Sequence, residues 1–189
     1  PEDLAESSEE GEDDDDDLEE DSDGDGVDDY YEAINSRNLD IEVGQKEFYI
    51  YSEKVSGGVE NYFEVYVEGG DEGLEVYLYY ASESSSREYE LEFELSVISI
   101  IEFKDDDGNS GFTQGSELPI SQTNLTQFKN LNYDEILSSS GEKIHNFSLA
   151  SQNGIFQMNM YVSSSFTQFE NQILAPSQVK MDFLIYDYP

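Results

Sequence analysis

The sequence predicts an all-β chain: an antiparallel β-sandwich preceded by a disordered acidic tail and an Asp-rich loop with one short helix. Three observations carry that expectation. From residue 46 onward apolar residues recur with a period of two. The segments so marked are separated by turns rich in Gly, Asn and Ser. Before residue 41 the chain is so acidic that it has little to bury. Period-two alternation marks a strand with one buried face, and a series of short strands joined by turns marks a sandwich.

Residues 1–20 form the tail. The whole chain of 189 residues carries 45 Asp plus Glu against 8 Lys plus Arg, a formal net charge of −37. Twenty of the acids and a single base, Arg37, fall in residues 1–40. Five consecutive Asp flanked by Glu repel one another and bury nothing, so this segment reads as disordered. So acidic a surface disfavours nucleic acid and anionic membranes as partners and favours cations, basic proteins and cationic mineral faces. No stretch reaches the ~20 apolar residues of a membrane span. With no cysteine, disulfides, thiolate zinc sites and cysteine nucleophiles are also excluded.

Residues 21–40 form the next unit. DSDGDGVDDYYE, Asp21 to Glu32, has oxygen-bearing groups at the spacing of a twelve-residue calcium loop. Asp21, Asp23 and Asp25 take positions 1, 3 and 5, and Gly26 makes the sharp turn. Val27 supplies a backbone carbonyl, Asp29 takes position 9, and Glu32 is the bidentate ligand at 12. Carboxylates this close repel strongly until a divalent ion relieves them. An acidic run rather than an amphipathic helix precedes the loop. It is therefore similar to the isolated DxDxDG loops of extracellular repeats, not to a paired regulatory EF-hand. Tyr30, Tyr31 and Ile34 give residues 29–37 the apolar stripe of a short helix.

Residues 41–189 form the β domain. Phe48 and Ile50 alternate with Tyr49 and Tyr51, and Phe63, Val65 and Val67 with Glu64, Tyr66 and Glu68. The run Gly69 to Gly73 predicts a hairpin into Leu74, Val76, Leu78 and Tyr80. Next, Tyr89, Leu91, Phe93 and Leu95 alternate with Glu88, Glu90, Glu92 and Glu94. Same-face side chains on a strand recur every ~6.7 Å, so these glutamates form a straight carboxylate row. Glu64, Glu68 and Glu75 are candidates for the same face. The continuous apolar run Val97–Ile101 predicts burial on both faces, or a bulge where the strand changes sheet. Residues 105–118 read as a polar loop and 119–142 as an irregular crossover. Ile144–Leu149, the turn Gln152-Asn153-Gly154 and Phe156–Val162 predict a second hairpin, and Val179–Ile185 a last strand.

A second, weaker metal candidate lies in the polar loop. Asp105, Asp107 and Asn109 have the 1, 3, 5 spacing, but Gly falls at position 7 and Glu117 one residue past position 12. The competing reading is an ordinary loop of turn formers. Two acceptor sequons, at Asn124 and Asn146, are consistent with a secreted glycoprotein. His145, the single histidine, alternates with Phe147 and Leu149 and so belongs to the core or its boundary. Neither a nucleophile elbow nor an oxyanion motif is present, and no enzymatic activity is expected.

The acid run EEGEDDDDDLEEDSDGDG, together with IIEFKDDDGNSGF and the closing LAPSQVKMDFLIYDYP, resembles the coral acid-rich proteins, also called skeletal aspartic acid-rich proteins, of the skeletal organic matrix. The resemblance covers the acid run and roughly residues 45–189. It implies a secreted extracellular-matrix protein that binds calcium, contacts calcium carbonate mineral and other matrix proteins, and takes part in biomineralisation. The alternative is a calcium-dependent extracellular adhesion or carbohydrate-binding β-sandwich module, with the acid run as a spacer.

Overall fold

The computed structural model describes Asp21 and residues 36–85, 87–139 and 141–186. All regular structure in them is β, in antiparallel sheets. β1 (Asp40–Val43), β2 (Glu47–Ser56), β3 (Val59–Gly70), β4 (Gly73–Ser84) and β5 (Arg87–Val97) form a five-stranded sheet in chain order. β6 (Ser99–Phe103) pairs with β7 (Pro119–Asn124) in a separate ribbon. β8 (Asn132–Leu137), β9 (Lys143–Ala150) and β10 (Phe156–Ser163) follow. After the short hairpin of β11 (Thr167–Phe169) and β12 (Gln172–Leu174), β13 (Lys180–Ile185) returns to β10. The second main sheet therefore has the order β13-β10-β9-β8.

The two main sheets share one core. Phe48, Ile50, Phe63, Val65, Val67, Leu74 and Val76 point inward from the first, and Phe147, Leu149, Phe156, Met158 and Met160 from the second. Phe48 of β2 stacks on Phe147 of β9 with ring centroids 4.0 Å apart. Burying each such side chain is worth about 1.5–3 kcal/mol, so this sandwich-like layering is what the alternation in sequence makes possible.

The hairpin between β3 and β4 turns on Asp71 and Glu72 alone, with Gly70 opposite Gly73. Gly73 has φ of 122°, and a Cβ there would lie 2.7 Å from the Val97 carbonyl oxygen. Both facts require glycine. The Asn153-Gly154 turn also forms, but as a longer loop. Asn153 Oδ1 accepts from Ile155 N and Ser151 Oγ, and Ser151 N pairs with Phe156 O.

Of the two readings of Val97–Ile101, burial on both faces fails, because Ile98 is 60% exposed, and the change of sheet holds: the run is where the chain leaves the first sheet for the β6–β7 ribbon. The supposedly irregular stretch 119–142 contains β7 and β8. PISQTN and NYDEIL are strands with polar residues on both faces, so no period of two shows in them. Of the helix expected over 29–37, Ser36 and Arg37 have no regular structure, and the rest lies outside the described residues.

The entry to the domain is fixed by polar contacts. Arg37 N donates to Ser164 O, the Arg37 guanidinium to Asn61 O, and Lys54 Nζ to Ser36 O. Among the described residues no helix is long and apolar enough to cross a membrane.

Candidate metal centre and carboxylate face

The loop from β6 to β7 is the best-defined acidic constellation. Asp105, Asp107 and Glu117 each offer a carboxylate oxygen, and the three oxygens lie within 4.8 Å of one another. Local chemistry builds this. Gly108 N and Ser110 N donate to the two oxygens of Asp105, at 2.6 and 3.1 Å. Asn109 N donates to Asp107 Oδ1, while Asn109 Nδ2 and Thr113 Oγ1 donate to Asp107 Oδ2. Such side-chain-to-backbone bonds are the usual way Asp and Asn stabilise a turn.

Glu117 closes the loop. It is 3% exposed, and its oxygens accept from Asp106 N at 2.9 Å and Thr113 N at 2.8 Å. Thr113 O in turn accepts from Ser116 N and Glu117 N, which folds the chain back by one residue. That tight turn is why a glutamate one residue beyond the regular position still reaches the two aspartates.

A carboxylate oxygen has two lone pairs. Most of these oxygens accept one hydrogen bond from the loop and retain capacity for a cation. Lys104, the nearest base in sequence, pairs with Asp106 instead. Three converging carboxylates are hard oxygen ligands, a donor set that suits a hard metal cation. Asn109, the fourth member expected from spacing, braces the loop instead. Its Oδ1 accepts from Gly111 N at 2.7 Å, and its amide donates to Asp107 and Thr113. Phe112, which stands edge-on to Phe103 at 5.4 Å, anchors the loop to the ribbon.

The loop at Asp21–Glu32 lies outside the described residues except for Asp21, which is exposed. Asp23, Asp25, Val27, Asp29 and Glu32 therefore have no geometry to report.

The glutamate row of β5 belongs to a larger surface. The register joins Glu92 to Tyr79, Glu64, Tyr51 and Asp40 across five strands. It likewise joins Glu94 to Tyr77, Tyr66, Tyr49 and Glu42. Glu47, Glu68 and Glu75 line up in a third row, and Glu60, Glu83 and Glu88 in another. With Glu53 and Glu90, that places thirteen carboxylates on the outer face of the first sheet, with six tyrosines between them and no Lys or Arg. Glu64, Glu68 and Glu75 do share the face of the β5 row.

The tyrosines separate and hold the acids. Tyr62 donates to Glu60, Tyr66 to Glu68, Tyr77 to Glu92 and Tyr79 to Glu90. A hydroxyl bonded to a carboxylate gives up its proton reluctantly, and the bond to Glu90 is the largest cause pushing the Tyr79 pKa up to about 12.

Other expected residues are dispersed. Asn124 is exposed at the end of β7, with Oδ1 accepting from Gln122 Nε2. Asn146 is half-buried in β9, a central strand, and its Oδ1 is enclosed without a hydrogen-bond partner. His145 is buried beside Phe147, with Nδ1 2.9 Å from the Tyr133 hydroxyl. Burial pushes its pKa down, against a smaller upward pull from Glu135. Sequence reasoning did not single out Thr113 or Phe112. Their part depends on where the loop turns back, which spacing does not reveal.

No family model, no curated protein and no solved structure matches this chain.

Proposed function

We propose that this chain is a secreted, acidic calcium-binding protein of an extracellular mineral matrix. On this reading a β-sandwich platform holds one ordered calcium in the Asp105–Glu117 loop and spreads a carboxylate face toward calcium ions or a calcium carbonate surface. The role is one of binding, with no catalytic step. The observation that carries it is the convergence of Asp105, Asp107 and Glu117 on a buried, backbone-fixed glutamate. The thirteen-carboxylate face, free of basic side chains, supports the surface-binding part. The acid run of residues 1–20 would add weak, territorial ion binding, and the Asp21–Glu32 loop a second site at the junction.

A calorimetric calcium titration with magnesium as competitor tests this reading. Extracellular loops of this kind bind in the range of about 10⁻⁴–10⁻³ M. The expected result is a calcium-selective phase above a weak multi-ion background, diminished in Asp107→Asn. A curve that Asp107→Asn leaves unchanged removes the loop from the account. Adsorption to calcium carbonate powder tests the surface part: it should fall when residues 2–20 are deleted and when Glu88, Glu90, Glu92 and Glu94 become Gln. Adsorption unaffected by both changes favours an adhesion or carbohydrate-binding module.

A further inference from the structure

β5 is the last strand of the five-stranded sheet, and among the described residues no strand pairs with its outer edge. An open edge presents backbone N–H and C=O groups to any extended chain, and natural sheets blunt it with charged side chains, proline or a bulge. β5 carries only the first of these, Arg87 and a row of glutamates that repels acidic strands and admits basic ones. Its sequence REYELEFELSV contains no Lys or Pro, and its register with β4 runs unshifted from Arg87 to Val97.

The two sides of the strand differ in character. One carries Glu88, Glu90, Glu92 and Glu94, with Glu90 and Glu92 steadied by the Tyr79 and Tyr77 hydroxyls. The other carries Tyr89, Leu91 and Phe93, which point toward the core side of the sheet yet remain 61%, 63% and 46% exposed. Only Leu95 and Val97, further along, pack against the core.

An open edge, an acidic row and an apolar row together specify their complement. We propose that β5 is a docking edge for a segment of a partner protein that alternates basic and apolar residues, added as a sixth strand to the sheet. Main-chain pairing supplies the attachment, and alternate side chains supply the selectivity. Lys or Arg of the partner lies over the glutamate row, and its apolar residues cover Tyr89, Leu91 and Phe93. A second copy of this chain fits less well, because antiparallel pairing of β5 with itself sets glutamate against glutamate, which is destabilising. The proposal does not rest on calcium binding by the Asp105–Glu117 loop. Asp107→Asn is expected to leave peptide docking unchanged, so the two readings fail separately.

The test is fluorescence anisotropy of labelled KVKVKVKV and its isomer KKKKVVVV on the full chain at physiological salt. If each opposed charge pair contributes as cross-strand pairs do, the alternating peptide binds roughly tenfold more tightly than the isomer. Glu90→Lys with Glu92→Lys should reverse the preference, weakening KVKVKVKV and admitting EVEVEVEV. On the unmodified chain, bound KVKVKVKV should slow amide exchange within residues 88–94. Equal affinity for the two isomers overturns the proposal, because diffuse attraction to the acid run then suffices. Protection elsewhere than β5 overturns it as well. So does a free chain that sediments as a dimer and becomes monomeric in Leu91→Lys, for then the edge is already taken by a second copy.

Discussion

The two sheets put different chemistry on their outer faces, although both bury the same kind of apolar residue. The outer face of the first sheet is acid and tyrosine, without a base. That of the second holds Asn132, Asn146, Ser148, Gln157 and Asn159, with Lys180 and Asp182 near one edge. There Gln157 donates to Ser148 and Asn159, and Lys180 pairs with Asp182 and Glu170 while lying over the Tyr161 ring at 4.9 Å. Apart from Asn146 Oδ1, which has no hydrogen-bond partner, the polar groups of the second face pair with one another. In the first, Glu83 sits directly opposite both Glu60 and Glu88, and Glu68 opposite both Glu47 and Glu75. Like charges so placed destabilise a sheet. The first sheet thus leaves opposed acids without a basic partner on its outer face, whereas the second pairs its charges.

The largest expected effect removes what the two faces share. Phe147→Ala deletes a ring stacked on both Phe48 and Tyr133, and truncations of this kind cost about 3–5 kcal/mol. Denaturant unfolding should show that loss whether or not calcium is present.

Calcium comes next. If the loop binds at about 10⁻⁴–10⁻³ M, about 10 mM calcium stabilises the native state by about 1.4–2.7 kcal/mol through mass action. Thermal unfolding with calcium or with excess chelator reads this, and Asp107→Asn should remove a large part of it.

A smaller effect separates the faces by charge. Glu83→Lys relieves two opposed carboxylates and should stabilise the chain by about 0.2–1 kcal/mol per pair at low salt, fading at high salt. On the second face, Asn159→Asp faces Asp182 across the ladder and should shift stability the other way. Equal and opposite signs sharpen the comparison, and equal signs break it.

The smallest effect is spectroscopic. The Tyr79 pKa is pushed up to about 12 chiefly by the hydrogen bond its hydroxyl donates to Glu90, whereas that of Tyr161 on the second sheet is raised chiefly by burial. Glu90→Gln should bring Tyr79 back toward the ordinary tyrosine value and leave Tyr161 in place, as an absorbance titration in alkali would record.

Much of this was legible in sequence wherever alternation was long. The long strands β2, β3 and β4 alternate over Phe48–Ser52, Phe63–Gly69 and Leu74–Leu78, so the composition of the acidic face could be read from Glu64, Glu68, Glu75 and the β5 row. What stayed hidden depended on contacts between distant segments. β7 and β8 place polar residues on both faces and so show no period of two. The apolar side of β5 looks like any core-facing row, and its exposure follows from how far the opposing sheet extends. Spacing placed Glu117 one residue out of position, and the Thr113 turn that restores it is set by hydrogen bonds that no motif encodes.

Residue-resolved NMR during a calcium titration tests the central claim most directly. The account predicts saturable shifts at the amides of Asp106, Gly108, Ser110 and Thr113, which donate to or adjoin the three carboxylates. It also predicts small, non-saturating drifts along β5 and none at Gln157 or Asn159. Saturable shifts absent from residues 105–117, or drifts equal on both faces, would contradict it.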